Sequence, residues 1–229
     1  YTQWYDTKEG GYTYSSFKNK CDSLSKKLTQ YGIGAGDKVA ILSQSMPNWS
    51  VAFFSIVPFG RIAIPILPDS SENEVTNILN HSESKVLLTD SDIWAKLDIT
   101  KMPTVKAVIS SSDFSLLYAA EESIQAANDN LQNLFNEKYP SGFTASDVSY
   151  PIDNDKELAI INYTSGTTSA PKGVMLRYEC ISANVDFGQK RLPSYPEDKI
   201  VSMLPMAHMY GMMFELIYPL CGGSSIYYL

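Results

Sequence analysis

Hydrophobic and polar residues follow two different periods along the chain, and together they predict helices alternating with strands. Between residues 15 and 31, apolar positions recur at steps of three and four, the spacing of one helix face, and Gly32 ends that helix. The pattern indicates further helices at 48–60, around 75–79 and around 94–97. Short apolar runs between these helices predict strands at 39–42, 62–66, 86–88 and 105–109.

The second half of the chain continues this alternation after a polar interval. Residues 110–156 are rich in Ser, Asn, Asp and Glu and contain one predicted helix, at 120–135. Beyond them we expect strands at 158–162, 200–204 and 225–229, a strand-like run after Lys172, and helices at 179–190 and 210–221. Strands that are apolar along their length indicate an α/β fold, a mostly parallel sheet flanked by helices. The polar interval is either an excursion or the boundary between lobes at 1–140 and 157–229.

Composition narrows the class of protein. The 229 residues are 44% hydrophobic and 19% charged, which is typical of a globular chain, and the net charge of −7 argues against nucleic acid as a partner. The longest apolar stretch, 51–67, is broken by two prolines, a glycine and an arginine, so we expect no transmembrane segment, while peripheral membrane contact stays open.

Cysteine usage gives a weaker indication. Cys21, Cys180 and Cys221 lie far apart and only two histidines accompany them, so neither a disulfide framework nor a zinc site is expected. Reduced thiols favour a cytoplasmic location.

The segment from Tyr163 to Leu176 carries the strongest chemical signal. An apolar run leads into it, and its loop combines glycine, hydroxyl side chains and a lysine. Gly166 lets backbone N–H groups approach an anion, the hydroxyls can donate hydrogen bonds, and Lys172 adds a positive charge. These hydroxyl groups belong to Thr164, Ser165, Thr167 and Thr168. The pattern predicts a polyphosphate-binding loop, although a short Ser/Thr-rich loop taken alone is more often a solvated turn.

The segment is not a Walker A loop. Five positions after Gly166 stands Pro171 in place of glycine, and Lys172 is followed by Gly173 in place of a hydroxyl residue that could ligate magnesium. The residues that follow also read as a strand and not as a helix.

The same residues closely resemble the phosphate-binding signature of the adenylate-forming superfamily, which includes acyl-CoA synthetases, peptide-synthetase adenylation domains and luciferases. That signature reads Tyr/Phe-Thr-Ser-Gly-Ser/Thr-Thr-Gly-x-Pro-Lys-Gly-Val. Eleven of its twelve positions, counting the free one, match residues 163–174, and the exception is Ser169, where the family has glycine. By this resemblance Thr164, Ser165, Gly166, Thr167, Thr168 and Lys172 contact ATP, Lys172 acts in catalysis, and Thr167 is the candidate magnesium ligand.

Three further regions are similar to this family, in the family's order. Residues 12–41 resemble the opening of an acyl-CoA synthetase, and residues 48–65 resemble its next segment. Residues 204–211, Leu-Pro-Met-Ala-His-Met-Tyr-Gly, resemble the motif that lines the acyl pocket. The resemblance implies that His208 is catalytic and lies near the carboxylate, and that Tyr210 and Gly211 lie where the acyl chain passes. A histidine among methionines would otherwise be read as a core residue, and the methionines themselves either line a tunnel or fill the core.

The resemblance implies a ligase of the acyl-CoA synthetase (fatty-acid–CoA ligase) branch. Such an enzyme activates a carboxylic acid, here expected to be a fatty acid, with ATP and Mg²⁺ to give an acyl-adenylate, and then transfers the acyl group to coenzyme A. We expect residues 1–229 to be the N-terminal portion of the large AMP-binding domain, without a C-terminal domain and inactive alone. The alternatives are a peptide-synthetase-type adenylation domain and a non-catalytic nucleotide or acyl binding module.

Overall fold

The computed structural model describes residues 3–6, 10–140, 147–150, 154–164 and 172–229. The described strands form two sheets, one of seven strands and one of four. The strands are β1 (Gln3–Asp6), β2 (Gly10–Thr13), β3 (Lys38–Leu42), β4 (Ile62–Ile66), β5 (Val86–Thr89), β6 (Ala107–Ser110), β7 (Leu116–Ala119), β8 (Leu158–Thr164), β9 (Lys172–Arg177), β10 (Lys199–Ser202) and β11 (Ser225–Tyr228).

Helices cover the sheets and connect their strands. They are α1 (Tyr14–Gln30), α2 (Pro47–Ile56), α3 (Glu72–Ser82), α4 (Ser91–Trp94), α5 (Glu122–Asp129), α6 (Leu131–Lys138), α7 (Tyr178–Arg191), α8 (Met209–Gly211) and α9 (Tyr218–Gly222). Short 3₁₀ helices occupy Val57–Phe59 and Ile99–Lys101, and a π-helical segment, Met212–Ile217, joins α8 to α9. Within the described part of the chain, none of the helices has the length and apolar character needed to cross a membrane.

The larger sheet has the strand order β7-β6-β5-β3-β4-β8-β9. Its five inner strands run parallel, and β7 and β9 are antiparallel at the two edges. Alternate residues of β3 enter different hydrophobic clusters: Val39 and Ile41 pack with α1 and α2, whereas Ala40 and Leu42 pack with α3. Both faces of the sheet are therefore covered, as the continuous apolar runs predicted.

The smaller sheet brings the two ends of the chain together. Its order is β10-β11-β1-β2, with β1 parallel to β11 and antiparallel to β2. Tyr228 of β11 is buried, and its hydroxyl forms a 2.7 Å hydrogen bond with Ser50 of α2. Strand pairing thus links the N-terminal and C-terminal stretches in both sheets, while the division into two lobes at the polar interval stays a prediction.

Local sequence signals explain where several helices begin and end. Thr13 caps α1 by accepting a hydrogen bond from Ser16 N, and Gly32, at φ +75°, continues the chain in the left-handed region after that helix. Ser71 and Glu74 form a reciprocal capping box at the start of α3.

Arg61 is a buried cation that joins α1 and α2 to the turn before β3. Its guanidinium donates to the carbonyl oxygen of Ile33 at 2.9 and 3.1 Å, to Ser25 Oγ and Thr29 Oγ1 of α1 at 2.8 Å each, and to the carbonyl oxygen of Ser55 of α2 at 3.3 Å. Burial lowers the pKa of Arg61 to about 10. The side chain is held by carbonyl and hydroxyl dipoles, so its role is structural.

The structure confirms the α/β fold and refines several predicted elements. The helix predicted at 120–135 is two helices, α5 and α6, with Asn130 between them outside helical geometry. The helix predicted at 210–221 has a π-helical centre, and the helical stretch near Trp94 is only one turn. The sequence analysis did not predict β1, β2 or β7. The first two mix polar, aromatic and glycine residues, and β7, although apolar, lies inside the stretch that was interpreted as a polar interval.

Candidate active site

Two antiparallel strands hold the predicted phosphate loop. Thr164, the last residue of β8, pairs directly with Lys172, the first residue of β9, and both are exposed. Residues 165–171, which connect this pair, lie outside the described residues. The ATP contacts predicted for Ser165, Gly166, Thr167 and Thr168, the magnesium ligand Thr167, and the effect of Ser169 therefore stay predictions.

Tyr163 lies on β8 just before the loop, where it pairs with Gly173 of β9. Its hydroxyl forms a 2.7 Å hydrogen bond with His81 Nδ1, and the two rings meet edge to face at 5.7 Å. A Cβ on Gly173 would lie 2.8 Å from Ile161 Cγ2 and 3.2 Å from Tyr163 Cζ. Gly173 is thus needed for packing, since a side chain there would displace Ile161 and press on the ring of Tyr163.

Asn162 connects the loop strand to the histidine motif. This asparagine is buried, and its Nδ2 donates a 3.0 Å hydrogen bond to the carbonyl oxygen of Ala207, the residue before His208. The residue before Ala207 is fixed as well. The backbone N–H of Met206 donates a 2.9 Å hydrogen bond to the Oγ of Ser45, which lies just beyond the end of β3. Residues 206–207 are consequently fixed between the ends of two strands of the larger sheet.

His208 begins helix α8. Its Nδ1 accepts a 3.2 Å hydrogen bond from the backbone N–H of Tyr210, so the ring acts as the N-cap of the helix. Because Nδ1 is an acceptor, the neutral ring is in the Nε2–H tautomer. The imidazole therefore has an N–H donor left for a ligand.

Glu215 stabilises the segment that precedes the motif. One oxygen of its carboxylate, Oε2, accepts hydrogen bonds from the backbone N–H groups of Met203 and Leu204, both at 2.9 Å, and from Ser202 Oγ at 3.1 Å. Glu215 belongs to the π-helical segment, an uncommon geometry that is frequent near functional sites.

The other residues of the acyl-pocket motif differ in exposure. Tyr210 is exposed, and its ring contacts that of Phe214 at a centroid distance of 5.0 Å with the two planes tilted by 39°. Gly211 is buried, and a Cβ there would lie 2.7 Å from the carbonyl oxygen of Pro205, so this glycine permits close packing of α8 on the preceding turn. The roles of Tyr210 and Gly211 in acyl binding stay predictions.

The methionines near His208 differ in how deeply they are buried. Met206, Met212 and Met213 belong to the hydrophobic core, while Met209 is partly buried and lines a cavity. Most of the described methionines near His208 therefore fill the core.

Thr164 and His208 line one cavity of about 340 Å³. It opens at the carboxyl ends of the parallel strands β4 and β8, the edge at which ligands bind in open α/β sheets. The lining comprises Pro65, Ile66, Leu67, Ser70, Glu74, Ile78, Asn162, Tyr163, Thr164, Ala207, His208 and Met209. Lys172, Tyr210 and Gly211 lie outside this lining.

The cavity carries one carboxylate. Hydrogen bonds from the backbone and side chain of Ser71 lower the pKa of Glu74, so this residue is ionised at neutral pH. Glu74 thus places a negative charge at the exposed side of this cavity. Over the described residues, we find no cluster of three or more His, Cys, Asp or Glu side chains that could hold a metal ion.

Sequence reasoning missed four residues that organise the site: Ser45, His81, Asn162 and Glu215. Asn162 directly precedes the predicted loop, and a buried polar residue inside an apolar strand is the signal that could have identified it. The other three carry no such signal, since their partners lie far away in the sequence.

The chain is similar to several known proteins over most of its length. Naringenin synthase from Pestalotiopsis fici is 27% identical over 220 residues, which are 94% of this chain and 8% of that protein. Fatty acyl-CoA synthetase A from Dictyostelium discoideum is 26% identical over 210 residues, 90% of this chain and 31% of that protein. Long chain acyl-CoA synthetase 2 from Arabidopsis thaliana is 28% identical over 235 residues, 97% of this chain and 34% of that protein. The chain thus spans about a third or less of these relatives.

Solved structures share the fold. The anthranilate CoA ligase AuaEII in complex with anthranoyl-AMP superposes with a TM-score of 0.81 at 18% identity, covering 99% of this chain and 41% of that one. ATP-bound MatB from Rhodopseudomonas palustris gives 0.74 at 21% identity, covering 97% and 41%. The family model described as AMP-binding enzyme matches residues 3–229. The chain therefore belongs to the AMP-binding enzyme family.

Proposed function

We propose that this chain is the phosphate-binding and acid-binding part of an ATP-dependent acid–thiol ligase that converts a fatty acid into its coenzyme A thioester. The activity is proposed for a protein in which residues 1–229 are joined to the further length that the relatives have. Residues 1–229 alone are expected to be inactive.

One observation carries the proposal: the hydrogen bond from Asn162 to the carbonyl oxygen of Ala207. It ties the strand that enters the loop to the residue before His208, and Thr164 and His208 consequently line the same cavity. A ligand with a phosphate at the loop and an acyl carboxylate at His208 would span these two points. That is the geometry required to join an acid to a nucleotide phosphate.

The reaction has two displacements. In the first, a carboxylate oxygen forms a bond to the α-phosphorus of ATP, and the bond from that phosphorus to the bridging oxygen breaks, releasing pyrophosphate. In the second, a thiolate sulfur bonds to the acyl carbon, and AMP leaves with the electron pair of the broken C–O bond. Both steps place negative charge on phosphate oxygens, which preorganised donors stabilise.

Residues of this chain supply distinct parts of that stabilisation. Lys172 would contribute a charge-assisted contact to the phosphates, and Thr164 a hydroxyl donor. The Nε2–H of His208 would donate to an oxygen of the carboxylate or of the adenylate. Since Glu74 places a negative charge in the same cavity, we infer that ATP enters with Mg²⁺ bound to its phosphates, as the metal-bound substrate, and that the Thr167 hydroxyl contacts this ion.

The names of relatives support a fatty acid as the substrate. Two of the relatives are named as a fatty acyl-CoA synthetase and a long chain acyl-CoA synthetase. A structural neighbour is instead named as an anthranilate CoA ligase, which makes aryl acids the alternative class.

The proposal is tested by acid-dependent exchange of labelled pyrophosphate into ATP, measured on the full-length protein with fatty, aryl and amino acids and followed by mass spectrometry of coenzyme A esters. We expect exchange with fatty acids and thioester formation on addition of coenzyme A. Exchange with amino acids alone would indicate a peptide-synthetase-type domain, and exchange with aryl acids alone would overturn the fatty-acid assignment. No exchange with any acid, in a protein that binds ATP, would indicate a binding module.

A further inference from the structure

A second cavity is lined by residues of helix α1. It has a volume of about 540 Å³ and is formed mainly by α1 and α6, with Phe114 between them. None of its lining residues lines the cavity that contains His208. Its size falls within the range of about 300–1,000 Å³ that is usual for small-molecule sites.

The described residues that line this second cavity have a marked charge asymmetry. Four of them are lysines and none is acidic, in a chain whose net charge is −7. The lysines are Lys20, Lys26, Lys27 and Lys138. Like charges that gather in one place repel each other, so the arrangement favours an anion.

Two of these lysines share one aromatic ring. The ammonium groups of Lys26, on α1, and Lys138, on α6, lie 5.6 and 5.9 Å from the centroid of Tyr139. Lys27 donates a 2.6 Å hydrogen bond to the carbonyl oxygen of Phe114, and burial lowers its pKa, with Asp113 acting in the opposite direction. An ammonium group has three donors, so Lys27 keeps donors for a ligand after that bond.

The remaining surface of the cavity is apolar. Its apolar lining residues are Leu24, which is buried, and Leu131, Leu134 and Phe135 of α6, which are partly buried. A lining that combines lysines with apolar side chains provides two kinds of contact: charge for a head group and hydrophobic surface for a chain.

We propose that this cavity binds a single-chain anionic amphiphile, with its aliphatic chain along α6 and its anionic head among Lys20, Lys26, Lys27 and Lys138. The site is separate from the proposed adenylation site and does not depend on catalysis.

The experiment uses dodecyl phosphate as the probe, below its micelle concentration, and isothermal titration calorimetry on the purified chain. Binding is expected for dodecyl phosphate and at least tenfold weaker for dodecyl maltoside and dodecyltrimethylammonium, which lack the anion. Octyl phosphate, with four fewer methylenes, should bind at least tenfold more weakly, because each buried methylene contributes roughly fourfold. Equal binding of the neutral, cationic and anionic amphiphiles would overturn the proposal.

Charge reversal identifies the site. Lys20→Glu/Lys138→Glu changes two exposed residues and should weaken dodecyl phosphate binding at least tenfold. The matched control, Lys156→Glu/Lys190→Glu, makes the same change of charge at two exposed lysines elsewhere and should alter the dissociation constant less than twofold. Circular dichroism and a thermal melt verify that both variants fold. Equal loss of binding in the two variants would show non-specific attraction and contradict the proposal.

A photoreactive diazirine analogue of dodecyl phosphate gives an independent location. Labelling should fall on peptides that contain residues 19–30 and 131–139. Labelling confined to residues 62–78, 162–164 or 207–209 would place the amphiphile in the His208 cavity and overturn the inference. Binding to anionic phospholipid vesicles without binding of monomeric dodecyl phosphate would instead identify a membrane-contact surface, and would also overturn it.

Discussion

The side-chain amide of Asn162 donates a 3.0 Å hydrogen bond to the carbonyl oxygen of Ala207. The bond is buried, and it joins two segments 45 residues apart, the loop strand and the histidine motif. Two sequence motifs that carry separate chemical signals are thereby placed at one cavity.

Asn162→Leu should destabilise the chain because the buried carbonyl of Ala207 loses its partner. We expect a decrease of about 1–3 kcal/mol in the free energy of unfolding, measured by urea titration. Asn80→Leu is the matched control: the Asn80 amide also donates to a carbonyl, that of Lys101 at 2.8 Å, but at an exposed site. A loss of less than about 0.5 kcal/mol is expected there, and equal losses in the two variants would contradict the role given to burial.

Gly173→Ala should disturb the packing of Tyr163. The added Cβ would lie 2.8 Å from Ile161 Cγ2, on a β-branched side chain that has little freedom to move within its strand. Overpacking of this kind costs roughly 1–3 kcal/mol. The control is Gly34→Ala, because a Cβ at Gly34 would have no atom within 4 Å. A thermal melt compares the two, and an unchanged melting temperature for Gly173→Ala would contradict the tight packing assigned to Ile161 and Tyr163.

Arg61→Lys should weaken the junction between α1 and α2. Lysine keeps the charge but cannot reproduce the planar set of donors that reaches Ile33, Ser25 and Thr29 together. We expect a loss of at least about 2 kcal/mol in the free energy of unfolding. Arg177→Lys, at an exposed ion pair with Glu179, should cost less than about 1 kcal/mol. Similar values at both sites would mean that the charge alone matters at Arg61.

The raised pKa values of two tyrosines predict that the chain loses stability at alkaline pH. Burial raises the pKa of Tyr14 and of Tyr178 to about 12, and their hydroxyls donate to the carbonyl oxygens of Ser224 and Val57. An unfolded tyrosine ionises near pH 10. Between pH 10 and about 12 only the unfolded state loses these protons, so the free energy of unfolding should fall over that window, with the full contribution present below pH 10.

Urea titrations from pH 9 to 12 measure this effect. Tyr14→Phe/Tyr178→Phe should make the decline shallower, whereas the same change at the exposed Tyr195 and Tyr210 should leave the decline as it is. An identical slope in the wild type and the Tyr14/Tyr178 variant would exclude these hydroxyls as its source.

The sequence predicted the larger sheet well and the site only in part. Strands such as β4 are apolar along their length, so the signal for burial on both faces is present in the residues themselves. The sequence predicts the phosphate loop because its hydroxyls, glycine and lysine lie in one short segment, and this loop stays a prediction. In contrast, the bond that Asn162 donates to Ala207 and the bonds that Glu215 accepts from Met203 and Leu204 depend on tertiary packing, and no local pattern encodes them.

The π-helical segment and the break at Asn130 were missed for a related reason. Apolar spacing records which face of a helix is buried, but it does not distinguish an α-helix from a wider turn, and it continues across a one-residue interruption. Both features were found only when the backbone geometry was known.

Under the proposed function, Lys172 and His208 serve one adenylation site. The most direct measurement is fatty-acid-dependent pyrophosphate exchange by the full-length protein carrying Lys172→Ala or His208→Ala, with Lys156→Ala as the exposed-lysine control. Removal of the charge-assisted contact of Lys172, worth about 1.5–3 kcal/mol, predicts a roughly ten- to hundredfold lower rate. We expect a comparable loss for His208→Ala with little change in thermal stability, and less than a twofold change for the control. Wild-type exchange rates in both site variants would contradict the account.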